Sequence, residues 1–151
     1  MSKNQVIWGG NYFDLPPTRC FVMWDKRQPW PNFSQAEYAW TSFDRPSKVF
    51  ALSNCIPGRI HPTQKPIRLY EFLLEQFGSR GDLVLDTHLG SGSSRIAARN
   101  LGFRFIGTEK DEYYFSEEER RWRSLPTAIE KEREEGGQMY LFDEDMEEDE
   151  R

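Results

Sequence analysis

The sequence predicts one soluble α/β domain built on a largely parallel sheet, and three observations lead to this prediction. From residue 65 onwards, short apolar segments alternate with segments of helical periodicity, which is typical of right-handed βαβ units. The chain has 151 residues, of which 37% are hydrophobic, enough for one domain with a core. It has two cysteines and no apolar run of the ~18 residues that a membrane span needs. We therefore expect a soluble protein of a reducing compartment.

Two buried strands are predicted near the amino terminus. Residues 5–8 and 20–24 are apolar runs with β-branched and aromatic side chains, which favour strands. The segment 27–60 is rich in proline, serine, asparagine and arginine, with scattered aromatic residues. This composition predicts an irregular segment with short elements at most.

The remaining elements are predicted in the order helix, strand, helix, strand, helix. Their expected bounds are 65–77, 83–86, 94–101, 103–107 and 111–123. Pro66 falls in the first turn of the first helix, where its missing N–H is tolerated, and Gly78 is placed to end it. Asp111 is a suitable N-cap for the last helix. That helix also carries two acid–base pairs at i, i+4 spacing, Glu117 with Arg121 and Glu119 with Arg123.

The most informative segment is the turn that follows the predicted strand 83–86. The strand ends in Asp86, and the turn into the next helix contains Gly90-Ser91-Gly92. Glycines allow a ligand to approach the backbone, and a helix N-terminus offers free N–H groups. The next strand is followed by Glu109, 23 residues beyond Asp86, where a carboxylate can accept hydrogen bonds from ribose hydroxyls.

Three kinds of nucleotide site compete for this turn. A P-loop is excluded, because no Gly-Lys-Ser/Thr sequence follows the glycines. A dinucleotide site is disfavoured, because Arg95 stands where a third glycine would allow close helix packing. An S-adenosylmethionine site remains, since a carboxylate such as Asp86 suits the positive groups of that cofactor. A turn without any ligand is the alternative.

Several motifs then point to one family. LVLDTHLGSGSS followed by FRFIGTEKDEYY resembles the cofactor motifs of amino-group DNA methyltransferases of the permuted β class, which modify adenine N6 or cytosine N4. The preceding HPTQKP is similar to the family's helix-opening motif, and NQVIWGGNYF and VMWDK resemble phage-type adenine methylases. The resemblance implies a Rossmann-like, S-adenosylmethionine-dependent methyltransferase sheet. It also implies a cytoplasmic protein, encoded by a prokaryote or a phage, that acts on double-stranded DNA.

The resemblance implies roles for individual residues. Asp86 and the glycine turn would line the cofactor, Glu109 would bind its ribose, and Thr63 and Lys65 would approach its methionine carboxylate. The implied cofactor-binding residues are Thr63, Lys65, Asp86, Thr87, Gly90, Ser91, Gly92 and Glu109. Thr87-His88 departs from the Pro-Phe that the family usually has, and His88 is either a polar contact or an exposed turn residue.

The family's catalytic motif is absent. These enzymes flip a base out of the duplex and hold its amino group with an Asp/Asn/Ser-Pro-Pro-aromatic tetrapeptide. The only Pro-Pro in the chain, Pro16-Pro17, is preceded by Leu15 and followed by Thr18. The chain is therefore expected to correspond to the carboxyl-terminal portion of a methylase with an incomplete sheet. A complementing amino-terminal fragment, self-association, or a remnant that transfers nothing are the open possibilities.

The resemblance places target recognition within residues 26–60. Cations there would meet DNA phosphates, and aromatic side chains would stack on or wedge beside an extruded base, or simply pack in the core. The core is favoured for Trp40 and Phe43. The candidate DNA-binding residues are Lys26, Arg27, Arg45 and Arg59.

The charge divides the chain into two parts. Residues 128–151 hold 11 acidic and 3 basic residues, whereas the preceding part holds 14 acidic and 17 basic residues. We expect a partial methyltransferase domain over 1–125 and an acidic, disordered tail over 126–151. Within the domain, 1–26 would form target-side strands, 27–60 a short DNA-recognition segment and 61–125 the cofactor-binding half. In the tail, Gln138, Leu141 and Phe142 resemble a sliding-clamp docking peptide, although chance or local docking is favoured.

Overall fold

The computed structural model describes residues 2–126. They form six strands, three α-helices and a 3₁₀ turn at Gly10–Tyr12. The strands are β1 Val6–Trp8, β2 Phe21–Asp25, β3 Ala36–Thr41, β4 Lys48–Ala51, β5 Leu83–Asp86 and β6 Arg104–Gly107. The α-helices are α1 Ile67–Phe77, α2 Ser93–Leu101 and α3 Glu112–Arg123. The candidate clamp residues Gln138, Leu141 and Phe142 lie outside the described residues.

Four strands form a mixed sheet in the order β1-β3-β2-β4. β3 runs antiparallel to both β1 and β2, whereas β4 runs parallel to β2. The segment 27–60, predicted to hold short elements at most, contains the two short strands β3 and β4, which the sequence did not locate. The expectation of a largely parallel sheet fails here. β3 pairs with β1, which is distant in sequence, and with the preceding β2, and Ala39, Trp40 and Thr41 are buried, so tertiary context outweighs the local composition.

The second sheet consists of the parallel pair β5 and β6, joined through α2. The predicted strand 83–86 is confirmed to the residue, and α2 begins one residue before its predicted start. Asp86 lies opposite Gly107 at the carboxyl end of this pair. The two sequence segments with acidic ends thus meet at one edge of the sheet.

Helix α1 connects the two sheets. Leu73 packs with Val22 and Ala39 of the first sheet, and the other side of the helix packs against α2. Phe77 stacks on Phe43 with ring centroids 4.6 Å apart, and Trp40 is buried. The predicted core position of Trp40 is confirmed, whereas Phe43 is half-buried and stacks on Phe77.

Helix α3 begins at the predicted cap, and Asp111 accepts hydrogen bonds from the N–H groups of Tyr113 and Tyr114. One predicted ion pair, Glu119 with Arg123, is present at 3.6 Å. The other is wrong, because Glu117 pairs with Arg120. Arg121 instead turns inward to the glycine turn, described below.

Within residues 2–126, each sheet ends in strands that are paired on one side only, among them β1 and β5. Leu83, Leu85 and Ile106 lie on one face of the β5–β6 pair and are 51–56% exposed. Unpaired edges and an uncovered apolar face are features that stable sheets normally avoid. They fit the predicted incomplete sheet.

No described helix is long and apolar enough to cross a membrane.

Candidate functional site

The turn between β5 and α2 has a backbone that requires glycine. Gly90 and Gly92 have φ angles of +54° and +70°, in the left-handed region that glycine tolerates best. A Cβ atom added to Gly92 would lie 2.4 Å from Oε1 of Glu118, so the position also has no room for a side chain. Gly92 is the N-cap of α2 and leaves the helix N-terminus without a side-chain cap.

Asp86 lies at the mouth of this turn and is partly buried. One of its carboxylate oxygens accepts a hydrogen bond from the His88 N–H at 3.0 Å, and the other accepts one from the Ser94 hydroxyl at 2.5 Å. A carboxylate has about four acceptor sites. Asp86 therefore retains capacity for a cationic ligand group. His88 and Thr87 are exposed.

Glu109 closes the turn from the second strand end. Its carboxylate accepts hydrogen bonds from the N–H of Gly90 at 2.8 Å and of Asp111 at 3.0 Å. The backbone hydrogen bond from Asp111 is the main cause that lowers the pKa of Glu109, and those from Gly90 and Lys110 and the nearby His61 lower it further. Glu109 is therefore an anion held in a fixed orientation beside the turn.

The HPTQKP segment lies against the opposite side of the turn. The His61 ring lies 3.6 Å from the position that a Cβ on Gly90 would take, and it meets the Tyr114 ring edge-on at 4.3 Å. His61 Nδ1 also accepts a hydrogen bond from the N–H of Thr63. Thr63 is exposed beside the turn. The fold thus brings His61 to the glycine turn and near Glu109, although 48 positions separate His61 from Glu109 in sequence.

The side chain of Lys65 is engaged in contacts with the first sheet. Its ammonium binds Glu37 of β3 at 3.0 Å and lies 5.3 Å from the Trp8 ring centroid. Lys26 binds the other oxygen of Glu37 at 2.7 Å. We call Lys26, Glu37 and Lys65 the Glu37 cluster. Its net charge is +1, because two cations share one anion.

The Glu37 cluster and Asp86 lie near the same point of α1. Burial is the main cause that raises the pKa of the Tyr70 phenol, and the negative charges of Asp86 and Glu37 raise it further. The charges of Asp86 and Glu37 therefore both act on Tyr70 of α1. Sequence reasoning missed Glu37, because a single acid in an unrecognised strand carries no motif.

Glu37→Gln is expected to lower the free energy of unfolding by about 1–2 kcal/mol, because the cluster then contains two partly buried cations without an anion. Burial opposes ionisation, but the bonds to Lys26 and Lys65 prevail and lower the pKa of Glu37. An acid whose pKa is lowered by folding stabilises the folded state at pH values above its ordinary pKa. This stabilisation is lost as the pH falls through the folded-state pKa. The difference between wild type and variant should therefore begin to shrink below about pH 4 and vanish only below the lowered, folded-state pKa of Glu37.

Urea denaturation at several pH values measures this difference. Glu75→Gln is the matched control, because Glu75 forms an exposed ion pair with Arg68 on α1. Such a pair contributes about 0–1 kcal/mol. A Glu37→Gln difference that does not change with pH would contradict the assigned role of the charge.

The predicted cofactor residue Ser91 is buried and faces the interior. Its hydroxyl lies 3.1 Å from that of Ser93, and its carbonyl oxygen accepts a hydrogen bond from Arg121 at 2.7 Å. Arg121 also donates to the Ser93 hydroxyl. Ser91 therefore contributes to the turn through its backbone, whose carbonyl oxygen is hydrogen-bonded to Arg121 of α3.

A buried ion pair lies beneath the same turn. Glu118 of α3 is 1% exposed, and its carboxylate accepts hydrogen bonds from Arg95 of α2 at 3.0 and 3.1 Å. Arg95 also pairs with Glu119, and its guanidinium lies 4.1 Å from the Trp122 ring centroid. Burial raises the pKa of Glu118 and outweighs the opposing effect of Arg95.

Three of the four candidate DNA-binding residues lie in neighbouring loops. The N–H of Asn54 donates to the carbonyl of Lys26, and Arg59 donates to the carbonyl of Asn54. Arg27 follows Lys26 directly, whereas Arg45 lies elsewhere. It donates to the carbonyl of Gln76 near the end of α1 and lies over Phe43, at the other end of the sheet.

Among residues 2–126, no group of three or more histidine, cysteine or acidic residues is arranged to hold a metal ion.

This geometry defines a class of protein. Two parallel strands, one ending in Asp86 and the other followed by Glu109, flank a glycine turn that opens a helix. α/β proteins use this arrangement for nucleotide cofactors. Residues 7–120 match a family described as DNA methylase. The match covers well over half of the 151-residue chain. The chain belongs to this DNA methylase family.

Individual relatives agree with this assignment. The chain is 43% identical over 54 residues to the type II methyltransferase M2.DpnII of Streptococcus pneumoniae, an alignment that covers 36% of this chain and 20% of that protein. It is 38% identical over 71 residues to the putative methylase YubD of Escherichia coli K12, covering 47% of this chain and 31% of that protein.

Two solved structures have a similar fold. The complex of M1.HpyAVI with S-adenosylmethionine superposes with a TM-score of 0.59 at 27% identity, over 70% of this chain and 61% of that one. The cytosine-N4-specific PvuII DNA methyltransferase gives 0.55 at 18% identity, over 75% and 53%. The architecture is thus a Rossmann-like methyltransferase fold. The chain spans less than two thirds of the length of each of these relatives.

Proposed function

We propose that the chain is the cofactor-binding and target-side part of an S-adenosylmethionine-dependent DNA amino-methyltransferase of the permuted β type. The observation that carries this proposal is the pair Asp86 and Glu109 on either side of the glycine turn, with the HPTQKP segment packed against it. Adenine N6 is the favoured target, because NQVIWGGNYF and VMWDK resemble phage-type adenine methylases. Cytosine N4 is the alternative.

The donor set fits this cofactor. Backbone N–H groups of Gly90 and Asp111 occupy part of the about four acceptor sites of Glu109, and the remaining capacity can accept from a ribose hydroxyl. Asp86 supplies a negative charge for the amino group and sulfonium, and Gly90 and Gly92 keep the turn free of side chains. The cationic Glu37 cluster supplies positive charge on the side of the methionine carboxylate. When bound, the cofactor supplies the methyl group that is transferred.

On the target side, we assign DNA contact to the two adjacent loops that contain Arg27 and Arg59. Both loops lie at the carboxyl end of β2 and β4, and the Glu37 cluster is at the same end. Cations there would meet phosphates on either side of a base that enters the active site. Arg45 is not included in this surface, because it lies at the opposite end of the sheet.

The catalytic step requires a segment that the chain does not contain. An Asp-Pro-Pro-aromatic tetrapeptide would accept the hydrogen bonds of the target amine and stack on the flipped base. We propose that the strand carrying it pairs with the free edges of β1 and β5 and joins the two sheets. The second candidate function, a remnant that binds cofactor or DNA without transferring a methyl group, is favoured by the absence of this tetrapeptide from all 151 residues.

Glu109→Ala is expected to weaken S-adenosylmethionine binding by about 10- to 150-fold, because it removes charge-assisted hydrogen bonds worth about 1.5–3 kcal/mol. Isothermal titration calorimetry of the full chain with the cofactor and with its demethylated product measures this loss. Glu112→Ala is the matched control, since it removes the same charge from an exposed residue three positions further on. Equal affinities of wild type and Glu109→Ala would reject the ribose role, and no heat with either compound would reject the cofactor.

A further inference from the structure

The loop between β2 and β3 has an ordered conformation fixed by one buried side chain. The N–H of Lys26 donates to the carbonyl of Gln35 at 2.9 Å and closes the loop at its base. Gln28 is buried, and its amide group donates to the carbonyl of Phe33 and accepts from the N–H of Trp30, both at 2.9 Å. The single side chain of Gln28 therefore fixes the backbone at both aromatic positions.

The two aromatic side chains of this loop point to solvent. Trp30 is 64% exposed and Phe33 is 69% exposed. Pro29 and Pro31 on either side of Trp30 restrict its backbone further. Large apolar side chains that an ordered loop exposes to solvent indicate a contact surface and not an incompletely packed core. We call residues 27–34 the aromatic loop.

The charge around the aromatic loop favours a polyanion as its partner. Residues 26–35 contain two cations and no acid, although Arg27 pairs with Asp25 at the end of β2 at 3.2 Å, and the adjacent loop 52–60 contains Arg59 and no acid. The hydrogen bond from Asn54 to Lys26 joins the two loops. Lys26 also binds Glu37, which binds Lys65, so the aromatic loop begins directly beside the Glu37 cluster.

We propose that Trp30 and Phe33 form a wedge that enters the base stack of duplex DNA at the place that a flipped base has left. This inference rests on the proposed function, because it takes duplex DNA as the substrate. An aromatic ring inserted between base steps replaces the stacking that the flipped base gives up. The rigid backbone around Gln28 positions both rings before binding, so little conformational entropy is lost on insertion. Arg27 and Arg59 hold the phosphates beside the opening.

The test compares the affinity of the full chain for two duplexes of the same sequence, one intact and one with a single abasic site, by fluorescence anisotropy. The abasic site is a gap that the wedge can fill without flipping a base. We expect the wild type to prefer the abasic duplex by about tenfold or more, and the Trp30→Ala, Phe33→Ala double variant to lose this preference. Trp30→Phe should retain most of it.

Two further variants separate insertion from electrostatic attraction. Phe21→Ala removes an aromatic ring that is 42% exposed at the opposite end of β2, and it should keep the preference. Arg27→Ala should weaken binding to both duplexes equally and reduce the dependence of log affinity on log salt by about one. If the wild type and the double variant bind DNA with the same preference for the abasic duplex, the wedge is wrong and the proposed function is unaffected. Failure to bind any duplex would overturn both.

Discussion

Arg95→Ala is expected to lower the free energy of unfolding by about 3–5 kcal/mol, because it leaves the buried Glu118 carboxylate without its partner. The side chain of Glu118 is 1% exposed, and that of Arg95 is 24% exposed. Domains of this size are stable by only about 5–15 kcal/mol, so the loss is a large part of the total. Urea or thermal denaturation followed by circular dichroism measures it.

A neutral replacement of Glu118 tests the physical cause. In the double variant Arg95→Ala, Glu118→Gln neither charge of the Arg95–Glu118 pair remains, and we expect it to recover most of the lost stability. Glu119→Gln removes the other, more exposed partner of Arg95 and should cost less than about 1 kcal/mol. If the double variant is as unstable as Arg95→Ala, the loss comes from packing of Arg95 on Trp122 and not from the unpaired charge.

The pH dependence provides an independent measurement of the same cause. The pKa of Glu118 is already raised in the folded protein, and removal of Arg95 should raise it further. An acid whose folded-state pKa is raised binds more protons when folded, so its contribution to stability increases as the pH falls through that pKa. The destabilisation by Arg95→Ala should therefore be larger at pH 8 than at about pH 5. A constant difference over this range would contradict the argument.

The sequence predicted well those elements whose determinants are local. Strand β5, helix α2 and the Asp111 cap depend on a short apolar run, a glycine turn and an N-cap aspartate, all within a few residues of one another. β3 was missed for the opposite reason. Its partner β1 is distant in sequence, and the segment 26–35 that joins it to β2 contains prolines and a serine that suggest a loop.

The same distinction applies to the candidate site. Asp86, Glu109 and the glycine turn were found because their spacing along the chain is a motif. The partners of Lys65 and Gly92 were not, since Glu37 and Glu118 reach them through tertiary packing between separate elements. The helical spacing of Glu117 and Arg121 gave a wrong pair for this reason. Arg121 is close to a backbone carbonyl of the turn, which competes with the surface carboxylate.

Supplying the missing strand is expected to have the largest effect on activity, from no methyl transfer to measurable turnover. Among residues 2–126, β1 and β5 are each paired on one side only, and we propose that one added strand pairs with both. A segment that adds this strand would also give Leu83, Leu85 and Ile106 a partner face. Each Å² of apolar surface covered there contributes about 25 cal/mol.

The experiment fuses, ahead of this chain, a segment from a DNA methylase relative in which a strand ends in Asp-Pro-Pro-aromatic. Transfer of a labelled methyl group from S-adenosylmethionine to duplex DNA measures activity, and mass spectrometry of the digested DNA distinguishes N6-methyladenine from N4-methylcytosine. Replacement of the added aspartate by alanine, and separately Glu109→Ala, should each abolish or strongly reduce the transfer. A fused protein that is monomeric, folded and able to bind the cofactor, yet transfers no methyl group, would favour the remnant, because cofactor binding and a complete sheet would then be insufficient for catalysis.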